Sequence, residues 1–153
     1  MQEIPSMVRN KRITAIQQAA VLKKIYDFAN SRWNIRPHGF TWVFDVTPTA
    51  LSDTYTLKLV YNEPFFPQVY VVSPKQLALA EGAERLPHTY DTKKQRLCLF
   101  RPFSNEWNGT MLIAYTIVHW AIEWLYYYEN WVYTGKWLGG GHGNWDADFG
   151  HRK

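Results

Sequence analysis

The sequence predicts an α+β domain in which two helices pack against an antiparallel sheet. The prediction rests on a helical repeat of apolar residues near the N-terminus, three short segments of alternating apolar and polar residues, and a long apolar run in the second half. A chain of 153 residues has the length of one domain that buries a core without disulfides. We therefore expect one domain over residues 1–153, with its core at about 13–138 and a glycine-rich polar tail at 139–153.

The first helix is predicted between Ile13 and Phe28. Apolar residues recur there at spacings of three and four with polar residues between them, which is typical of an amphipathic helix. The predicted apolar face consists of Ile13, Ile16, Ala20, Val21, Ile25 and Phe28. Pro37 and Gly39 break the pattern, so the helix ends before them.

Three strands are predicted next, at residues 40–47, 55–61 and 69–72. Apolar and polar side chains alternate along the first two, as in strands with one buried face. Pro48 ends the first strand, and Pro64 and Pro67 place a turn before the third, because proline does not fit a central ladder. The short spacing predicts an antiparallel meander.

A long irregular segment at residues 75–95 leads to Cys98, the one cysteine of the chain. Long irregular segments in compact domains are usually functional. Thr110 is then predicted to open a long helix through the apolar stretch 111–128. His119 and Glu123 within that stretch favour a core helix over a membrane span.

Composition excludes several classes of protein. A single cysteine allows neither an internal disulfide nor a cysteine-rich metal site, and the polar N-terminus lacks the features of a secretory signal, so we expect a cytoplasmic protein. The net charge of +4 is spread along the chain, so we expect no nucleic-acid partner. Two small basic clusters are interpreted as solvated surface: Arg9, Lys11 and Arg12, and Lys93, Lys94 and Arg96.

Cys98 alone would be interpreted as an inert core residue, since it lies between two leucines. Its surroundings change that interpretation. His88 lies ten residues before it, YNEPFFPQVYVV occupies residues 61–72, and Trp107 follows. In these motifs the chain resembles the ubiquitin-conjugating enzyme family, whose members place a histidine ten residues before a nucleophilic cysteine. The resemblance implies a ubiquitin-conjugating-like fold with Cys98 as the nucleophile.

A narrower resemblance concerns EWLYYYENWVYTGKWLGGGHG at residues 123–143. It is similar to the conjugating domains of bacterial antiphage operons that signal through cyclic oligonucleotides (CBASS). The resemblance implies that Cys98 receives, as a thioester, the C-terminus of a cyclic-oligonucleotide synthase or a ubiquitin-like protein and passes it to a lysine of a target. It implies no cofactor. The chain has no room for an adenylation module, so a separate activating enzyme supplies the acyl group or the system works without one.

The chain departs from the family pattern at one position. Where the family reads His-Pro-Asn, with the asparagine stabilising the oxyanion, this chain reads His88-Thr89-Tyr90. Tyr90, Asn105 and Asn108 are the candidate donors in its place, unless backbone amides alone serve. For His88 we favour a structural role over that of a general base, as the resemblance implies.

Electrostatics leads to one further expectation. Because cations favour a thiolate, Lys93, Lys94 and Arg96 are expected to lower the pKa of the Cys98 thiol.

The chain offers no strong metal-binding pattern. His142, Asp146, Asp148 and His151 fit no ligand spacing, and the helical pair of His119 and Glu123 lacks the second histidine of a zinc motif. Two further functions stay open as alternatives. One is a catalytically inactive binding module of the conjugating fold, and the other is a single-strand nucleic-acid binder.

Overall fold

The computed structural model describes residues 11–139. In chain order they form α1 (Ala15–Ile25), β1 (Arg32–Arg36), β2 (Gly39–Val46), β3 (Tyr55–Asn62), β4 (Gln68–Ser73), β5 (Thr89–Asp91), β6 (Arg96–Leu97), a 3-10 helix (Ile113–Tyr115) and α2 (Ile117–Thr134). The strands of this part of the chain form one antiparallel sheet in the order β1-β2-β3-β4-β6-β5. The predicted α+β fold, with its meander, N-terminal helix and long C-terminal helix, is confirmed.

The three strands expected from alternation are confirmed as β2, β3 and β4. Their inward side chains form the core, and Trp42 at its centre is 1% exposed. Its indole stacks on Phe44 with ring centroids 3.8 Å apart and on Trp33 with centroids 4.9 Å apart. Gly39 begins β2 where the strands approach closely, since a Cβ there would lie 2.5 Å from the carbonyl oxygen of Tyr61.

Strand β1 was not predicted, although Trp33 and Ile35 alternate with polar residues in its sequence RWNIR, because two apolar residues make a short pattern. It lies at the edge of the sheet and pairs with β2 on one side, with Trp33 opposite Trp42. Charged residues at both ends are typical of an edge strand that must not pair with another chain.

The predicted length of α1 was too great, and its predicted apolar face is confirmed only in part, because Val21 packs against the core whereas Ile25 is 40% exposed. The helix begins after Thr14, whose side chain forms a capping box with Gln17, and Ile16 on its predicted inner face is 57% exposed. The buried residues are Ala15, Gln18, Ala19 and Leu22. Small side chains let α1 approach residues 111–113, where the Gln18 amide donates to the Met111 carbonyl at 2.8 Å and accepts from the Ile113 amide at 2.9 Å.

Helix α2 begins at Ile117, seven residues after the predicted start at Thr110. The side chain of Asn108 accepts hydrogen bonds from the backbone and the hydroxyl of Thr110, which favours a turn there, and the short 3-10 helix follows. The residues between Cys98 and the 3-10 helix therefore form a loop beside Cys98.

The chain turns back after α2. Gly135 ends the helix with φ 76°, a conformation that glycine adopts without strain, and its amide donates to the Trp131 carbonyl at 2.7 Å. We call residues 136–139 the strap. Trp137 of the strap packs against the core. Of the predicted tail, residues 140–153 lie outside the described residues, as does Arg9 of the first basic cluster.

Candidate active site

Cys98 directly follows β6 and is 4% exposed, between leucines that are equally buried. The hairpin of β5 and β6 positions it, because β6 pairs with β4 of the main sheet. The backbone amide of Cys98 extends the pairing of β5 and β6 by donating to the His88 carbonyl at 3.0 Å. The ten-residue interval in the sequence thus becomes a direct contact between the two segments.

His88 is buried and has φ 50°, which is uncommon for a residue with a side chain. Its carbonyl accepts from the Cys98 amide and also from Trp124 Nε1 at 2.9 Å, so helix α2 holds the same peptide. Its imidazole stacks on Trp137 with ring centroids 4.7 Å apart. These contacts favour the predicted structural role.

Tyr90 lies beside Cys98. Its hydroxyl donates its one proton to the Phe100 carbonyl, and when that proton turns to the Cys98 sulfur instead, it stabilises the thiolate and lowers the thiol pKa. The Arg96 guanidinium lies over the Tyr90 ring, 4.7 Å from its centroid. The structure therefore brings one of the three candidate oxyanion donors to the sulfur.

Asn105 and Asn108, the other two candidates, belong to the loop after Cys98. Asn108 Nδ2 donates to Asn105 Oδ1 at 3.0 Å, and Asn108 Oδ1 accepts from the Thr110 amide at 2.9 Å. Asn105 has φ 67°, which asparagine tolerates better than most residues. The hydrogen bonds of both amides account for the shape of this loop.

Two charged residues that the sequence did not single out act on the Cys98 thiol. Glu106 raises the pKa of both Cys98 and Tyr90, whereas Arg101 lowers that of Cys98. The pair is held by a tight loop, in which Glu106 Oε1 accepts from the Arg101 amide at 2.8 Å. Nothing in the sequence pattern predicts this turn, so sequence reasoning had no signal for either residue.

A small depression lies near Cys98 between β4, the hairpin of β5 and β6, and the loop after Cys98. Its lining includes Phe66, Gln68, Tyr90, Arg96, Leu99 and Pro102, but not Cys98 itself. The walls are mainly apolar, with one guanidinium among them, and the enclosed space is about that of one water molecule.

Within residues 11–139, no group of three or more His, Cys, Asp or Glu side chains is arranged to hold a metal ion. His142, Asp146, Asp148 and His151 lie outside the described residues. None of the described helices is both long and apolar enough to cross a membrane.

A protein-family model described as E2-CBASS, Type II CBASS E2 protein, matches residues 17–144. The match extends from within α1 through the sheet, His88, Tyr90 and Cys98 to beyond the strap, which is most of the chain. The chain belongs to the Type II CBASS E2 family. Membership indicates a conjugating-enzyme-like role in CBASS antiphage defence, with protein partners in that system. No curated protein matches the chain.

The nucleophile candidate of this CBASS E2 protein has a strongly raised thiol pKa. Burial is the largest cause and raises the pKa of Cys98 to about 12, with Glu106 adding to the effect. The hydrogen bond from Tyr90 and the charges of Arg101 and Arg96 act in the opposite direction and are outweighed. At neutral pH the resting thiol is therefore protonated.

We expected Lys93, Lys94 and Arg96 to lower the pKa of the Cys98 thiol. This expectation is wrong, because the net shift of that pKa is upward. Arg96 does lower the pKa of Cys98, but burial dominates. Lys93 and Lys94 are exposed in the turn between β5 and β6, whereas Cys98 lies at the opposite end of that hairpin. The hairpin separates the two lysines from the sulfur.

The raised pKa gives a testable pH dependence. The thiolate is the reactive form, so the rate of Cys98 alkylation by iodoacetamide should rise about tenfold per pH unit from about pH 7 to about pH 10 without a plateau.

Glu106→Gln keeps the hydrogen-bond acceptor but removes the charge that raises the pKa of Cys98, and should speed alkylation at every pH. Glu84→Gln, at an exposed site, is the matched control and should leave the rate unchanged. A plateau near the ordinary thiol pKa of about 8.5 would contradict the raised value.

Proposed function

We propose that this protein is a conjugating enzyme that carries the C-terminus of a partner protein as a thioester on Cys98 and transfers it to a lysine amine. The observation that carries the proposal is the backbone hydrogen bond of Cys98 to His88, with the Tyr90 hydroxyl held beside Cys98 at the Phe100 carbonyl, in a chain of the Type II CBASS E2 family. A thiol with a positioned donor beside it is the minimum equipment for acyl transfer. We further propose that the protein acts in the cytoplasm.

The first step needs an activated acyl donor, either an acyl adenylate or a thioester of the partner's C-terminus, supplied by a separate activating protein. The Cys98 sulfur attacks the carbonyl carbon, the S–C bond forms, the bond to the leaving group breaks, and the thiol proton passes to the leaving group or to water. In the second step the lysine nitrogen attacks the same carbon. The N–C bond forms, the S–C bond breaks, and the thiol is restored as the amine proton departs.

Both steps pass through a tetrahedral intermediate whose oxygen carries negative charge. That oxygen is bonded to the carbon attached to the sulfur, so a donor within reach of the sulfur is close to it as well. The Tyr90 hydroxyl meets this condition, and it reaches the oxyanion by exchanging its bond to the Phe100 carbonyl. Arg96, stacked on the Tyr90 ring, adds positive charge nearby.

We propose that the carried protein is a cyclic-oligonucleotide synthase or a ubiquitin-like protein of the same system, and that the acceptor is a lysine of a target protein.

Mass spectrometry of the protein recovered from cells that express its complete operon tests the proposal. Wild type should carry a covalent adduct that reductant or hydroxylamine removes. Cys98→Ser should carry an ester that resists reductant and yields to hydroxylamine, and Cys98→Ala should carry neither. An adduct of the same mass on Cys98→Ala, or no adduct on wild type and Cys98→Ser, would contradict a thioester carrier.

A binding module without catalysis is the second candidate. The burial and the raised pKa of Cys98 favour it, as does the tyrosine in place of the family's asparagine. Such a module would bind its partner proteins equally well as wild type and as Cys98→Ala, and would show no adduct in either form.

A further inference from the structure

The aromatic residues at the end of α2 and in the strap take no part in the chemistry proposed above. They are nevertheless linked to Cys98 through His88, whose carbonyl accepts from the Cys98 amide. Trp137 stacks on the His88 imidazole with an angle of 26° between the rings and centroids 4.7 Å apart. Trp124, one of the buried residues of α2, donates its indole N–H to the His88 carbonyl and lies 5.5 Å from Trp137 between ring centroids. Two tryptophans therefore hold His88 at its ring and at its carbonyl.

His88 needs such support because of its backbone. A positive φ of 50° crowds the side chain of any residue other than glycine, and such a conformation persists when the surroundings fix it. With this φ, the His88 carbonyl points toward the Cys98 amide, from which it accepts a hydrogen bond at 3.0 Å. A relaxed His88 would turn that carbonyl away from the nucleophile.

The strap that carries Trp137 is anchored on both sides of it. Before Trp137, the Lys136 amide donates to Thr134 Oγ1 at 3.0 Å, just after the turn at Gly135. After it, Gly139 lies directly on the ring of Tyr127, where a Cβ would come within 2.5 Å of Cδ2. The indole is therefore placed by the turn and by this close approach together.

We propose that Trp137 is a positioning residue for Cys98. Its ring holds His88 in the left-handed conformation, the His88 carbonyl fixes the Cys98 amide, and the sulfur is thereby kept beside the Tyr90 hydroxyl. The effect of Trp137 on catalysis rests on the proposed function of Cys98. The contacts from Trp137 through His88 to Cys98 do not depend on any reaction.

The test compares Trp137→Ala and Trp137→Phe with Trp33→Ala, the matched control. Trp33 is also half-buried, but it lies on the edge strand β1, away from His88. The first readout is hydrogen exchange of the Cys98 amide, followed by NMR. We expect Trp137→Ala to speed this exchange by about tenfold relative to the exchange of the Leu59 amide, whereas Trp137→Phe and Trp33→Ala should leave the ratio unchanged.

The second readout is single-turnover thioester formation with the activated partner. Small displacements of a reacting group cost up to about 10²-fold in rate, so Trp137→Ala should lower the maximal rate by about tenfold or more at an unchanged half-saturating donor concentration. Trp137→Phe should retain most of the rate. Gly139→Ala is the second variant, for use where Trp137→Ala folds poorly. It displaces the strap but keeps the indole, and it should shift both readouts in the same direction as Trp137→Ala.

Equal effects of Trp137→Ala and Trp33→Ala on Cys98 amide exchange would overturn the positioning role, as would unchanged exchange in Trp137→Ala together with Gly139→Ala. A wild type that forms no thioester, together with selectively faster Cys98 exchange in Trp137→Ala, would refute the proposed function and leave the positioning contacts established.

Discussion

Replacing Tyr90 by phenylalanine is expected to slow the aminolysis of a preformed Cys98 thioester by about 10²-fold, the cost typical of losing one oxyanion donor. The variant keeps the ring under Arg96 and removes only the hydroxyl. That hydroxyl also stabilises the Cys98 thiolate, so the variant should raise the thiol pKa further and slow thioester formation as well.

Aminolysis is measured by loading the protein, removing free donor and following discharge to free lysine. Tyr26→Phe is the matched control, because the Tyr26 hydroxyl also donates to a backbone carbonyl, that of Ala114, at 2.7 Å. A wild-type discharge rate in Tyr90→Phe would exclude the hydroxyl as the oxyanion donor, whereas an equal loss in Tyr26→Phe would assign the effect to folding.

Truncating Trp42 to alanine is expected to lower the free energy of unfolding by about 3–5 kcal/mol, the range for removing a large buried aromatic side chain. Trp42 contacts Phe44 and Trp33, and its indole N–H donates to Ser31 Oγ at 3.2 Å, so the variant leaves a cavity and loses this hydrogen bond. The loss is a large share of the stability of an ordinary domain.

Urea denaturation followed by circular dichroism measures this change. Tyr133→Ala is the control, since Tyr133 is 89% exposed and its removal should change the stability by no more than about 0.5 kcal/mol. Similar midpoints for the two variants would contradict the placement of Trp42 at the centre of the core.

The sequence predicted the central strands well because alternation directly reflects which side chains face the core, as along Phe40, Trp42 and Phe44. It failed where burial follows from tertiary contacts. On α1 the polar Gln18 is buried because its amide is satisfied by the loop at 111–113, whereas the apolar Ile16 faces solvent. Strand β1 has only two apolar residues in alternation, and one of them, Ile35, is 45% exposed, so its pairing with β2 was missed.

The sequence shows only the ten-residue interval between His88 and Cys98, and the backbone hydrogen bond that joins their segments is known from the structure. The sign of the thiol pKa shift did not follow from the sequence. Counting nearby cations ignores burial, which is the larger effect for Cys98. Glu106 and Arg101 act through a loop whose turn is set by side-chain hydrogen bonds, which no periodic pattern encodes.

The burial of Cys98 also has a consequence for its chemical survival in the cell. Peroxides oxidise the thiolate, and the raised pKa of Cys98 leaves only a small fraction of the residue in that form at neutral pH. Small electrophiles that react with thiolates are disfavoured for the same reason. The cysteine is thus expected to stay reduced under oxidative stress that would convert an exposed, acidic thiol to sulfenic acid.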